Sequence, residues 1–293
     1  MSVNKYNSTT GNLERLDGYT VDSTPTSGSG NPVSSGGVYT ALQEVLSKYP
    51  GAGFHNSIYR GEYLGNAVTQ AQWNAISNGT FTDLFVGDYW TINNINWRIA
   101  ACDYHLNRGP NDGITTRHHL VIVPDSNLLN ADGSTHYMQT SDDTSGGYKG
   151  SGYYSGTNKN STTNSAKSQC TTKINNAFGA GHILTHKELI TNAVTDGKAS
   201  GWGWEDCTVE CMSETMVYGT QAWAANGYEV ASEMTQLPLF FFKPEHITNR
   251  ATWWLRSATS ASSFAFVADE GYASNSDASA PWVGVRPAFA LCA

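Results

Sequence analysis

Trp253-Trp254-Leu255-Arg256-Ser257 and Gly284-Val285-Arg286-Pro287-Ala288-Phe289-Ala290-Leu291 are two apolar runs near the end of a 293-residue chain. Each reads as a buried strand, because short unbroken apolar runs suit a sheet covered on both faces. Between them lies a segment of opposite character, 258–283. Seven Ala and six Ser make up half of its 26 residues, so most outward side chains are short. Lys, Gln and Met are absent from it, while Phe264, Phe266 and Val267 punctuate it as anchors. A rigid frame thus encloses a stretch that carries little folding load. That division has a physical reason. Substitutions away from a core typically change stability by about 0.5 kcal/mol, whereas truncating a core side chain costs about 2–5 kcal/mol.

Working outward, Phe85-Val86-Gly87-Asp88-Tyr89-Trp90-Thr91-Ile92 and Ile95-Asn96-Trp97-Arg98-Ile99 flank Asn93-Asn94. Asn tolerates positive φ, so this spacing predicts a hairpin. Tyr59 to Gly65 reads as a strand and turn, and Thr69 to Ser77 as a helix capped by Thr69. His119 to Pro124 reads as a buried strand. Residues 141–169 are a polar stretch with no visible core-forming pattern, which predicts a long surface insertion. Cys170 to Phe178 and His186 to Thr195 show helical spacing. Met212 to Gly219 reads as a strand end running into a turn.

The frame, with Phe85 to Trp90, Trp97-Arg98-Ile99-Ala100 and Met212-Ser213-Glu214, resembles the variable proteins diversified by phage and bacterial retroelements. The resemblance runs from about Phe54 to the last residue. It implies an α+β, C-type-lectin-like fold, close in architecture to formylglycine-generating enzymes. It also implies rewriting of adenines, mainly in Asn codons, which yields Ala, Ser, Thr, Asp, Gly or Tyr and excludes Lys and Gln. The composition of 258–283 fits that filter, and Glu270 departs from it.

The expected organisation is an attachment segment, 1–51, ahead of a ligand-binding domain, 52–293. In the attachment segment, Val21-Asp22-Ser23-Thr24-Pro25 and Asn31-Pro32-Val33-Ser34-Ser35-Gly36-Gly37-Val38-Tyr39 resemble the linker and helix of phage tail-fibre proteins. Val38, Leu42, Val45 and Leu46 recur at three and four residues, one apolar stripe on a helix capped by Ser34 or Ser35 and stopped by Pro50 and Gly51. A short amphipathic helix is marginal alone, so it is expected to pack on the main domain or on copies of itself, in the second case as a homotrimer.

The expected ligand contacts are Ala258, Thr259, Ser260, Ser262, Ser263, Ala268, Asp269, Tyr272, Ser274, Asn275, Ser276, Asp277, Ser279 and Trp282. Tyr272 and Trp282 would be rigid aromatic anchors, and the Ser, Asn and Asp side chains adaptable polar contacts. Arg256 and Arg286 lie within apolar strands and are expected to be structural. The implied function is hypervariable receptor binding at a phage tail tip, against a bacterial surface protein or glycan, alongside other tail proteins. The implied location is the virion, after assembly in the host cytoplasm.

Composition narrows the rivals. Charged residues are only 14% and aromatics 12%, which suits turns, short strands and recognition surfaces. The net charge is −8 without a Lys or Arg block, so nucleic acid is not an expected partner. No run is long and apolar enough for membrane insertion, and the first residues lack the features of a secretory signal. Five irregularly spaced cysteines are no disulfide framework; free buried thiols are expected. His182 and His186, four apart, could meet on one helix face, with His118 or His119 as a further ligand. The Glu expected after the first His of a metalloprotease is replaced by Ile183, and no metal or cofactor is expected. A tail glycan hydrolase is one alternative, but Asp142 with Asp143, and Asp269 with Glu270, are adjacent residues that point apart on a strand. No enzyme is expected. A purely structural tail-fibre component is the other alternative.

Overall fold

The computed structural model describes residues 4–15, 20–47, 51–130, 137–156, 165–224 and 235–293. The chain divides into two compact units, Met1–Pro50 and Gly51–Ala293. In the first unit, β1 (Asn4–Asn7) and β2 (Asn12–Arg15) form a hairpin. Helix α1 (Ser35–Ser47) follows, and its first turn is capped by Ser34, whose Oγ accepts the Gly37 N–H at 3.0 Å. Val38, Leu42 and Val45 are about half exposed, at 52%, 53% and 51%. Within this unit the stripe is thus left half exposed. The expected stop at Pro50 and the side chain of Leu46 lie outside the described residues.

The second unit is mixed α and β, with several small sheets and short helices. It opens with α2 (Ala52–His55) and α3 (Gln70–Ser77). Thr69 and Gln72 cap α3 reciprocally, side chain to backbone in both directions, which satisfies two otherwise orphaned N–H groups. The Asn93-Asn94 turn joins β3 (Tyr89–Ile92) to β4 (Ile95–Cys102) with φ of 54° and 61°. Side by side with β4 runs β5 (Leu120–Pro124), buried along its whole length. Helices α4 (Gly152–Ser155) and α5 (Ala166–Phe178) then lead to a long hairpin, β6 (His186–Thr195) and β7 (Lys198–Cys207). Next come β8 (Val209–Glu210), α6 (Glu214–Tyr218) and α7 (Pro238–Phe242). The chain ends with β9 (Trp253–Ala258), β10 (Ser263–Val267), β11 (Ala273–Asp277) and β12 (Ala288–Leu291).

Strand β12 enters a five-stranded antiparallel sheet in the order β3-β4-β5-β12-β8. Strands β9, β10 and β11 form a separate sheet in sequence order. The two halves of the frame meet at a bridge between Trp253 and Gly284, and the Trp254 N–H donates to the Gly284 carbonyl at 3.0 Å. Alternate residues of β9 and β10 face different cores. Trp254, Ala258, Phe264 and Phe266 enter the larger cluster, with Trp97 and Phe289. Trp253, Leu255, Ala265 and Val267 enter the second, with Phe240 and Val121.

Four expectations are corrected. His186 to Thr195 is a strand: Asp196 and Gly197 form a positive-φ turn that folds it back on β7. Met212 to Gly219 holds a capped helical turn instead of a strand end, because Ser213 accepts the Met216 N–H and Gly219 closes it at φ 75°. The 141–169 stretch does reach the core: Tyr148 and Tyr153 are fully buried there, and 157–164 lie outside the described residues. The Tyr59–Gly65 run contributes only isolated bridges, Tyr59 to Val86 and Tyr63 to Tyr89.

Buried arginines brace this part of the fold. Arg286 donates to the carbonyls of Pro124 and His246, both at 2.7 Å, and lies over the Trp253 ring at 5.2 Å. Arg98 forms a two-point pair with Asp125. His246, whose Nε2 meets the Tyr59 hydroxyl at 2.9 Å, is held down to about 4 by burial and by the charges of Arg98 and Arg286. Its ordinary value is near 6.5, so the unfolded chain takes the proton first. Its stabilising contribution is full above pH 6.5 and is lost as pH falls toward 4. The denaturation midpoint is expected to fall over that window, and His246→Gln is expected to flatten part of the slope. Urea titrations at several pH values measure it; an unchanged slope in the variant refutes the assignment.

Candidate ligand-binding surface

Strand β11 is the outer strand of its sheet, paired with β10 on one side only among the described residues. Its burial differs sharply from that of its neighbours. Every residue of β9 and β10 is buried, whereas Ala273 to Ser276 are half-buried and Asp277 is exposed. Ser274 and Ser276 stand opposite Phe266 and Phe264, on the face of the larger core. Ala273 and Asn275 stand opposite Val267 and Ala265, on the other face. An edge strand with short polar side chains on both faces can be rewritten without opening either core.

The turns at the two ends of β11 extend the surface. At its start, residues 268–272 turn tightly, with the Ala268 N–H bonded to the Tyr272 carbonyl at 2.9 Å. Gly271 has φ 94°, and a Cβ there would run into the Thr248 hydroxyl, so this position must be Gly. Asp269 is exposed and Tyr272 is 60% exposed. The Tyr218 hydroxyl fixes the turn from below by donating to the Gly271 carbonyl at 3.1 Å.

At the other end, Thr259, Ser260 and Ser262 are half-buried in the β9–β10 turn. Ser260 Oγ accepts the Ser262 N–H at 3.2 Å. Asp142 holds Ser279 there, with its Oδ1 accepting the hydroxyl at 2.5 Å and the backbone N–H at 3.1 Å. Thr144 binds the adjoining turn through its hydroxyl, to the Ser260 carbonyl at 2.6 Å. The 141–156 insertion is therefore a brace for this surface. Trp282, 49% exposed, packs edge-on against Phe266 at 5.3 Å.

Three of the expected contacts are not on the surface. Ala258, Ser263 and Ala268 are 1%, 8% and 3% exposed. Ala258 and Ala268 pack into the larger core, because the frame strand runs one residue past Ser257 and β10 carries its burial on to Ala268. The other eleven, Thr259, Ser260, Ser262, Asp269, Tyr272, Ser274, Asn275, Ser276, Asp277, Ser279 and Trp282, line β11 and its end turns with at least partial exposure.

One residue escaped the sequence reading. Trp223, 48% exposed, donates its indole N–H to the Ala273 carbonyl at 2.8 Å and so lies along the free edge of β11. Its own backbone N–H and that of Ala224 are gripped by the buried Glu214 carboxylate, at 2.9 and 2.8 Å. Burial pushes Glu214 up, against the lowering effect of those N–H bonds. Fifty residues separate Trp223 from Ala273, and no local pattern links them.

Of the two carboxylate pairs, Asp269 and Glu270 are both exposed, while Asp142 and Asp143 are engaged in the loop. Asp142 holds Ser279, and Asp143 accepts the Ser145 N–H at 2.8 Å, which keeps its carboxyl below the ordinary range. The histidine pair does not form either: His182 lies in a 3-10 turn, stacked on Trp73 at 4.0 Å, and His186 begins β6.

Residues 211–293 match a family described as a domain of unknown function, DUF6273. The match takes in α6, α7 and all four strands from β9 to β12. No curated protein and no solved structure matches the chain.

Removing the Asp142 carboxylate is expected to loosen the 277–280 turn while leaving the fold in place. For Asp142→Ala the expected loss is about 1 kcal/mol, the net worth of a hydrogen bond, with faster hydrogen exchange at the Ser279 amide. Unchanged exchange there would show that the brace does not act.

Proposed function

We propose that this chain is a non-enzymatic adhesion protein that binds a bacterial surface protein or glycan through β11 and its end turns. In this reading the second unit is a C-type-lectin-like variable domain of the retroelement-diversified kind, carried on a phage tail tip with other tail proteins and incorporated into the virion. The observation that carries the reading is the partition of burial within 253–291. The Trp, Leu, Phe and Val side chains of β9, β10 and β12 are interior, while eleven of the candidate contacts reach solvent. Folding energy and ligand contact are thereby assigned to different residues.

The exposed set has the character of a recognition surface. Tyr272, Trp282 and Trp223 offer large, stiff aromatic faces whose ordering costs little entropy. Ser274, Asn275, Ser276 and Asp277 supply small hydrogen-bonding groups between them. Such a site reads shape and polar pattern, and gains strength when several copies act together.

Simultaneous replacement of Tyr272, Ser274, Asn275, Ser276 and Asp277 by other small or aromatic residues is expected to leave the melting temperature within a few degrees, since each surface change is worth about 0.5 kcal/mol. Capture of bacterial cells by the purified protein is expected to be lost or redirected. A collapse of stability across most such variants, or unchanged capture by all of them, refutes the reading. A reverse transcriptase and a template copy of the gene's 3′ end, with mismatches confined to adenines, are expected in the neighbouring DNA.

The bare stripe of Val38, Leu42 and Val45 supports assembly of copies through α1. Light scattering is expected to give a trimer for the full chain and a monomer for the chain shortened to begin at Gly51. Equal association states would remove α1 as the cause.

A further inference from the structure

We propose that His105, His186 and Glu188 form a buried site for a divalent metal ion of the zinc class. The three residues are 4%, 3% and 4% exposed. Their donor atoms lie within 4.8 Å of one another. His186 and Glu188 are two apart on β6 and so share a face. His105 comes from the segment between β4 and β5.

The hydrogen bonds around His186 point to a cation. Its Nδ1 lies 3.2 Å from the Leu184 carbonyl, which can only accept, so that nitrogen carries a proton. Its Nε2 then offers a lone pair. Yet Nε2 lies 2.8 Å from the Glu188 Oε1. The other Glu188 oxygen is paired with the Arg256 guanidinium, so the carboxylate also only accepts. Two lone pairs cannot face each other in a dry interior without a positive charge between them. Either a second proton on His186 or a metal ion supplies it.

The rest of the site favours the ion. A second imidazole, His105, lies against His186, with ring centroids 3.9 Å apart and planes 28° apart. An imidazolium needs no such third donor, whereas two imidazoles and a carboxylate are a common zinc set. Calcium and magnesium prefer oxygen donors throughout. Supporting bonds are also in place, as metal ligands require. The Leu184 carbonyl orients His186. Arg256 pairs with the Glu188 Oε2. The His105 backbone N–H donates to His119 Nε2 at 3.0 Å, which fixes its segment and not its ring. The Nε2–Oε1 gap must widen on binding, since ligands about 2.0 Å from a tetrahedral ion stand roughly 3.3 Å apart.

Such an ion would join β6 to the segment before β5 and, through Glu188 and Arg256, to β9. It would tie the frame together in a chain whose five cysteines are all free. Because the ligands are sealed, the ion loads as the chain folds.

The full chain, produced in zinc-supplemented medium and passed through metal-free buffer, is expected to retain one zinc per molecule by elemental analysis. Stripping with a chelator during mild unfolding is expected to lower the melting temperature by on the order of 5 °C, and zinc added on refolding restores it. His105→Phe keeps a ring against His186, and is expected to fold by circular dichroism while its zinc falls to background. Wild-type protein without zinc, and with a melting temperature indifferent to zinc and chelator, would show that a proton fills the gap. Zinc retained by the variant would place the ion elsewhere. Either result overturns the proposal, and the wild-type measurements decide it even if the variant does not fold.

Discussion

Trp253 and Trp254 are neighbours on β9 and point into different cores. That one alternation fixes the C-terminal sheet as an interior wall, with Phe264 and Phe266 continuing one side and Ala265 and Val267 the other. Neither indole N–H has a hydrogen-bond acceptor among the described residues. Both rings are therefore held by packing, and a wall held that way tolerates little change in volume. Variation in this part of the chain is pushed outward, to the next strand and the turns that bound it.

Charge does the work that packing cannot. Arg256 sits in the wall itself and is neutralised by Glu188 of β6, which ties the long hairpin to β9. Arg286, equally buried, is satisfied by two backbone carbonyls and two aromatic faces. A guanidinium without a carboxylate is costly to bury, and burial holds Arg286 down to about 10. Removing either side chain would strand acceptors in the interior. The same logic applies outside the wall: Asp142 and Glu214 each spend a carboxylate on fixing a loop against β11, so the exposed surface rests on rigid neighbours although its own residues are small.

Features set by short-range rules were legible in the sequence. The Asn93-Asn94 turn followed from positive-φ tolerance, the α3 cap from Thr69, and the frame strands from their unbroken apolar runs. The β6 segment was misread because Leu189, Ile190 and Val194 satisfy helical spacing as well as a strand's. The Asp196-Gly197 turn that decides between them lies just beyond it. The insertion was misread because two tyrosines, Tyr148 and Tyr153, reach the core from a polar stretch whose average conceals them. Within 258–283 the anchors were legible, but Ala258 and Ala268 were not. Small apolar side chains suit a core and a surface equally, and only the register of β9 and β10 decides. Trp223 and His105 depend on contacts between distant parts of the chain, which leave no local trace.

The central claim is that folding and contact are carried by separate residues within 253–291. A scan of every single substitution across that range, scored for the amount of folded protein, tests it most directly. The account requires tolerance at Tyr272 to Asp277, at Ser279 and at Trp282, and sharp intolerance at Trp253, Trp254, Phe264, Phe266, Arg286 and Phe289. A profile in which β11 proved as intolerant as β9 and β10 would contradict it.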